Sequence, residues 1–106
     1  MHSMRLPTTQ IVVTAAIDSS MKSIEEFDQF ISGSLNRFFN GDWGEMDSDE
    51  DRKMNDDALK AWKDNDERNF NRILAVYKTE LIDEGKIWII EEYDRSVITV
   101  LFPSDY

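Results

Sequence analysis

The hydrophobic residues change period along this chain, and that change decides what it can fold into. From Ile24 to Phe39 the apolar residues Ile24, Phe27, Phe30, Ile31, Leu35, Phe38 and Phe39 recur mostly at three- and four-residue spacing. Such spacing puts them on one face of an α-helix. From Phe70 onward the helical period gives way to runs rich in Ile, Val, Tyr and Trp: Phe70 to Lys78, Lys86 to Tyr93 and Ser96 to Pro103. These runs predict three strands. Asp83–Gly85 and Asp94-Arg95 are the turns between them, and turns this short imply antiparallel neighbours. A fourth run, Gln10 to Ala16 (QIVVTAA), predicts a strand ahead of the helices.

The helix boundaries have their own signals. Ile17 to Lys22 reads as a mostly polar connection, and Ser23 with Glu26 three residues on has the form of a capping box. Asn40-Gly41 supplies the stop. Gly33 weakens the middle of the helix, which suggests that another element comes close there. A second helix is expected to start near Asp47 or Ser48, with Asp49, Glu50 and Asp51 at the positive end of its dipole. Its apolar stripe, Met54, Ala58, Ala61 and Trp62, is narrow, so much of its circumference faces water. Lys63 to Asn69 reads as a loop. Arg72 to Ile82 reads as strand or as helix. The resulting expectation is an α+β fold: one antiparallel sheet of about four strands against two helices, in the order β-α-α-β-β-β. The long-helix face Phe27, Ile31, Leu35 and Phe38 should pack on Val12, Ile89 and Val100.

The length of 106 residues fits one domain. Residues 1–8 are expected to lie outside its ordered part, as a disordered or vector-derived leader, with Met4 as an alternative start. There is no cysteine, hence no disulfide framework and no thiolate metal site. That fits a reducing cytoplasm. No apolar run approaches the roughly 20 residues of a membrane-spanning helix.

The formal net charge is -10, and half of the 22 acidic side chains lie between Asp42 and Glu67. A surface this negative repels nucleic acid and anionic membranes and attracts basic proteins. Basic residues do mingle with aromatics in the last third, namely Arg68, Arg72, Lys78, Lys86 and Arg95 among Phe70, Tyr77, Trp88 and Tyr93. Core aromatics explain that mixture better than stacking on RNA, because the field of the whole chain opposes phosphate.

No catalytic motif emerges. Asp47, Asp49 and Asp51 have the alternating spacing that opens a calcium loop, but Arg52 stands where glycine is needed and Ala58 where a bidentate Glu is needed. These three aspartates are weak candidates for a divalent ion, with Asp42 and Glu45 beside them. The pairs Glu25/Glu26, Asp56/Asp57 and Glu91/Glu92 are adjacent in sequence, so their side chains point apart and make no acid–base dyad. Ser19-Ser-Met-Lys22 spells Ser-x-x-Lys without its companion motifs. Trp43, in Gly41-Asp-Trp-Gly44 between the two helices, is either a plug under the core or an anchor for a partner.

The strings GDWGEM, EDRKMND, RILAVYK and KIWIIEEYDRSVITVLFP, in this order, resemble a family of short plasmid-related proteins carried by mobile elements and prophages of Firmicutes. The resemblance runs from about Thr8 to Tyr106. It brings no catalytic residues and no cofactor. It implies the company of inhibitors of host defence, among them anti-CRISPR and anti-restriction proteins, several of which mimic the charge of DNA.

The expected function is therefore a non-enzymatic inhibitor or interaction protein. It would bind a basic surface of a nucleic-acid-handling protein such as a CRISPR effector nuclease through Asp42, Trp43, Glu45, Asp49, Glu50, Asp56 and Asp57. The alternatives are a housekeeping regulatory module of a plasmid or conjugative element and a carboxylate-based divalent-metal protein. An exposed edge strand, QIVVTAA or FNRILAVYK, would also offer a route to a homodimer.

Overall fold

A computed structural model describes residues 9–106 of the chain; the expectation for residues 1–8 lies outside the described residues. Strand β1 spans Gln10–Val13 and is followed by three helices: α1 (Ala15–Ser23), α2 (Glu25–Phe39) and α3 (Asp49–Lys63). Strands β2 (Ile73–Lys78), β3 (Lys86–Glu91) and β4 (Val97–Leu101) complete the sheet. Short 3-10 turns lie at Glu67–Asn69 and Pro103–Asp105.

The α+β class holds, with three corrections. The sheet order is β1-β4-β3-β2, and β1 runs parallel to β4 while the other pairs are antiparallel. The expected all-antiparallel sheet is therefore mixed. The short-turn argument governs β2, β3 and β4 only, because the three helices carry the chain from β1 to β2 at the opposite edge, and β4 returns beside β1 only after β3.

Secondly, there are three helices. The segment read as the end of a strand and a polar connection is α1. Thr14 caps it by accepting a hydrogen bond from the Ile17 amide, and Asp18 pairs with Lys22 one turn on. Ile17 is buried, and Met21 and Ile24 pack partly on the core at helical spacing.

Thirdly, the Ser23 capping box does not form. The Ser23 hydroxyl donates to the Ser19 carbonyl inside α1. Ile24 alone separates the two helices, in extended backbone (φ -129, ψ 106), and α2 starts without a side-chain cap.

Helix α2 buries Phe27, Ile31, Ser34 and Phe38, with Leu35 half-buried. They face Ile73, Ala75 and Tyr77 of β2, Ile87 and Ile89 of β3, and Ile98 and Val100 of β4, all fully buried. Phe102 closes this core by stacking on Phe27 at 6.0 Å. Val12, expected in the core, is 40% exposed; Val13 takes its place. The Gly33 expectation is corrected as well: a Cβ there would meet nothing within 4 Å. Asn40-Gly41 does end α2, with Gly41 at φ +76. The ambiguous stretch after Arg72 is strand to Lys78, then a turn in which the Thr79 amide donates to the Gly85 carbonyl.

Candidate functional site

The loop between α2 and α3 is built around Gly44. Its φ is +76, and a Cβ would lie 2.0 Å from the Val76 carbonyl oxygen, so only glycine fits. This close approach lets the loop run as a short parallel bridge along β2. The Val76 amide donates to the Trp43 carbonyl (3.2 Å), and the Glu45 amide donates to the Val76 carbonyl (2.7 Å). Asp42 steers the turn. Its carboxylate accepts from the Arg37 guanidinium at 2.7 and 3.2 Å and from the Gly44 amide at 3.0 Å. These bonds, the Arg37 pair foremost, hold its pKa below the ordinary 3.8. The Tyr77 hydroxyl donates to the Asp42 carbonyl, and the Arg37 guanidinium lies over the Tyr77 ring.

Trp43 is 3% exposed. Its ring meets Phe38 edge to face at 5.4 Å, and its indole N–H donates to Asp56 Oδ1 at 2.8 Å. Of the two sequence readings, this geometry is the plug. Asp56 is thereby the polar partner of a buried indole.

Helix α3 follows, capped by Ser48, whose hydroxyl accepts from the Asp51 amide. The buried face is Asn55, Ala58 and Ala61, whereas Met54, read as part of the stripe, is 55% exposed. On the outer face Lys53 pairs with Asp57 and Lys60 with Asp64, and each carboxylate raises the pKa of its lysine.

The seven expected contact residues thus do different things. Trp43 is core. Asp42 and Glu45 flank Arg37, at 2.7 and 3.6 Å, and belong to the loop. Asp56 holds Trp43, and Asp57 holds Lys53. Asp49 and Glu50 are exposed and make no ion pair among the described residues. Asp47 and Asp51 share that condition, so the uncompensated charge collects at the start of α3. No group of three or more His, Cys, Asp or Glu that could hold a metal ion occurs among the described residues, Asp47, Asp49 and Asp51 included. Beside the cluster lies an open groove of about 290 Å³, whose walls include Met54, Val76 and Trp88 and in which Asp47 and Asp51 share the lining with Arg72 and Lys86.

Two polar residues matter that sequence reasoning passed over. Asn55 Nδ2 donates to the Leu74 carbonyl (2.8 Å), and the Leu74 amide donates back to Asn55 Oδ1 (3.2 Å). The available signal was an amide falling three residues before Ala58, on the buried stripe of the helix. Arg95, read as a turn residue and as one of the basic residues of the last third, is 1% exposed, with φ +60. Its guanidinium donates to the carbonyls of Asn71, Glu92 and Ala58 and lies 5.5 Å from the centre of the Trp62 ring. Nothing in the sequence separates it from the exposed arginines.

No helix among the described residues is long and apolar enough to cross a membrane. Comparison with family models, with curated proteins and with solved structures found no match.

Proposed function

We propose that this chain is a non-enzymatic interaction protein whose acidic α3 end binds a basic surface of a nucleic-acid-handling protein. A groove built for phosphate, such as that of a CRISPR effector nuclease, is the partner class that suits it. The observation that carries this reading is the cluster Asp47, Asp49, Glu50 and Asp51. Three of the four are consecutive in the first turn of α3, and none is neutralised by an ion pair among the described residues. The cluster also sits at a helix start, where acidic side chains stabilise the helix by offsetting its dipole. Charge of one sign, exposed and backed by a rigid helix, speeds encounter with a surface of the opposite sign. The proposed face is smaller than the stretch from Asp42 to Glu67, because Asp42, Glu45, Asp56, Asp57 and Asp64 are engaged within the molecule.

The test is a pull-down from host lysate with and without a CRISPR effector, followed by association kinetics on the captured partner. The expected rate falls steeply between low and physiological salt, and the double change Asp49→Lys with Glu50→Lys abolishes capture while the melt is unchanged. Capture that ignores both salt and this double change would remove the acidic cluster from the mechanism.

A further inference from the structure

The groove beside the start of α3 opens on the face of the sheet opposite α2. On β2 and β3 the buried Ile73, Ala75, Tyr77, Ile87 and Ile89 turn toward α2, so Leu74, Val76 and Trp88 between them turn outward. These three are half-buried and form an apolar floor. Four charged side chains line the groove: Asp47 and Asp51 on the α3 side, Arg72 just ahead of β2, and Lys86 at the start of β3. None of the four is in an ion pair among the described residues. Opposite charges thus share one groove without neutralising each other. The Arg72 guanidinium is nevertheless oriented. It donates to the neutral Tyr106 hydroxyl at 2.7 Å and lies 5.7 Å from the centre of the Tyr106 ring, which meets Trp88 edge to face at 5.8 Å. The remaining donors of its fork stay open to a carboxylate. Along β2 the charges stand at opposite ends of the floor. Arg72 lies two residues before Leu74, whereas Gly44 bridges Val76 and Asp47 follows three residues after Gly44. From Arg72 to Val76 four residues of extended chain cover about 13 Å.

We propose that this groove binds a basic amino-acid residue with a free carboxylate, of arginine or lysine type. Its carboxylate lies on Arg72, its side-chain cation on Asp47 and Asp51, and its methylenes along Leu74, Val76 and Trp88. Lys86 adds to the positive side from β3. The lining excludes simpler ligands one by one. A polyamine or a bare cation leaves Arg72 and Lys86 facing positive charge. A phosphate or a dicarboxylate leaves Asp47 and Asp51 facing negative charge, on a chain whose net charge of -10 already opposes anions. A glycine-type zwitterion carries both charges on one carbon and does not reach both ends of the floor. A residue of arginine type carries them at the two ends of an apolar stem. That chemistry has two sources, the free amino acid and the C-terminal residue of a peptide. Asp49 and Glu50, which carry the protein-binding reading, do not line the groove, so its ligand stands or falls independently of that reading.

The test is a titration of the full chain with small molecules at about 0.15 M salt, where distant surface charges are screened. The readouts are the backbone amide signals of Leu74 and Val76 and the Trp88 indole N–H in two-dimensional NMR. Arginine and N-acetylarginine, which mimics a C-terminal residue, are expected to shift these signals saturably, in the millimolar range usual for a ligand so small. Agmatine, which lacks the carboxylate, and citrulline, which lacks the side-chain charge, should bind at least about tenfold more weakly, the loss expected for one charge-assisted bond. Arg72→Gln should weaken arginine about tenfold and leave agmatine unchanged. Asp51→Asn should weaken arginine and leave citrulline unchanged. The ligand series on the wild type stands alone should a variant fail to fold. N-acetylarginine that binds as tightly as arginine or tighter assigns a peptide C-terminus as a source, and tighter binding of arginine assigns the free amino acid. Agmatine that binds as tightly as arginine, or shifts that spread over the acidic surface without saturating at Trp88, would overturn the proposal.

Discussion

Gly44 and Gly33 show how differently one residue type can matter in a single domain. Gly44→Ala forces a side chain into left-handed backbone and into the Val76 carbonyl. Strain of about 1–3 kcal/mol adds to the loss of two backbone bonds worth roughly 1 kcal/mol each. We expect a loss of at least about 3 kcal/mol, read from urea unfolding. Gly33→Ala meets open space in mid-helix and should gain up to about 1 kcal/mol in the same experiment. Trp43→Ala empties a buried site and removes the indole's bond to the exposed Asp56, so its cost should fall in the range of roughly 3–5 kcal/mol, ahead of any effect on binding. An unchanged melt with lost binding would reverse that assignment. Asp42 adds a pH dependence. Its folded pKa lies below the ordinary 3.8 because of Arg37 and the Gly44 amide, so its contribution is complete above that value and is lost as pH falls through the folded pKa. Asp42→Asn should be less stable at neutral pH and show a shallower acid decline below about pH 4, a difference followed by chemical denaturation from pH 2 to 7.

At the scale of elements, the sealing of β2 by α3 rests on one side chain. Asn55→Ala leaves the Leu74 amide and carbonyl without these partners, a cost of about 1–3 kcal/mol if both groups stay dry. It also reopens a strand edge beside the exposed Met54. The expected outcome is a lower melting midpoint with light scattering that rises with concentration; Asn55→Gln, which carries the amide one methylene too far to meet both groups of Leu74, should recover little of either. What the sequence made legible follows the strength of each periodic signal. Helix α2, β3 and β4 were readable because their apolar spacing is long or dense, and Ser48 announced α3 by its cap. Helix α1 was missed because its nine residues bury only Ile17 fully, so polar residues masked the spacing Ile17, Met21, Ile24. The parallel pairing of β1 was illegible because no turn connects it to β4. Within the site, composition located the acidic segment but not its internal pairing. Whether a given aspartate holds Arg37 or Trp43 depends on the loop geometry that Gly44 permits, whereas the Lys53–Asp57 pair follows from i,i+4 spacing on α3.

For the molecule as a whole, one property acts with opposite signs on folding and on binding. A net charge of -10 on a compact chain, with a radius of gyration of 13.8 Å, means that carboxylates repel across the folded surface. At about 0.01 M salt the screening length is roughly 30 Å and spans the molecule, whereas at 0.15 M it is about 8 Å and does not. Raising salt over this range should therefore raise the melting midpoint of the free protein. The same change should slow association with a basic partner, because it screens the attraction that steers encounter. Asp49→Lys with Glu50→Lys separates the two effects. Each reversal adds two positive charges, which takes the formal net charge from -10 to about -6 and reduces self-repulsion. It also removes acidic residues from the first turn of α3, where they favour the helix by about 0.3–1 kcal/mol each. The two contributions oppose each other, so the midpoint at 0.15 M should move little, while its rise with salt becomes shallower than in the wild type. Calorimetric scans across the salt series, run on both proteins, check this. A wild-type midpoint that falls with salt would mean that local pairs such as Arg37 with Asp42, and not the net field, dominate the electrostatics of the fold.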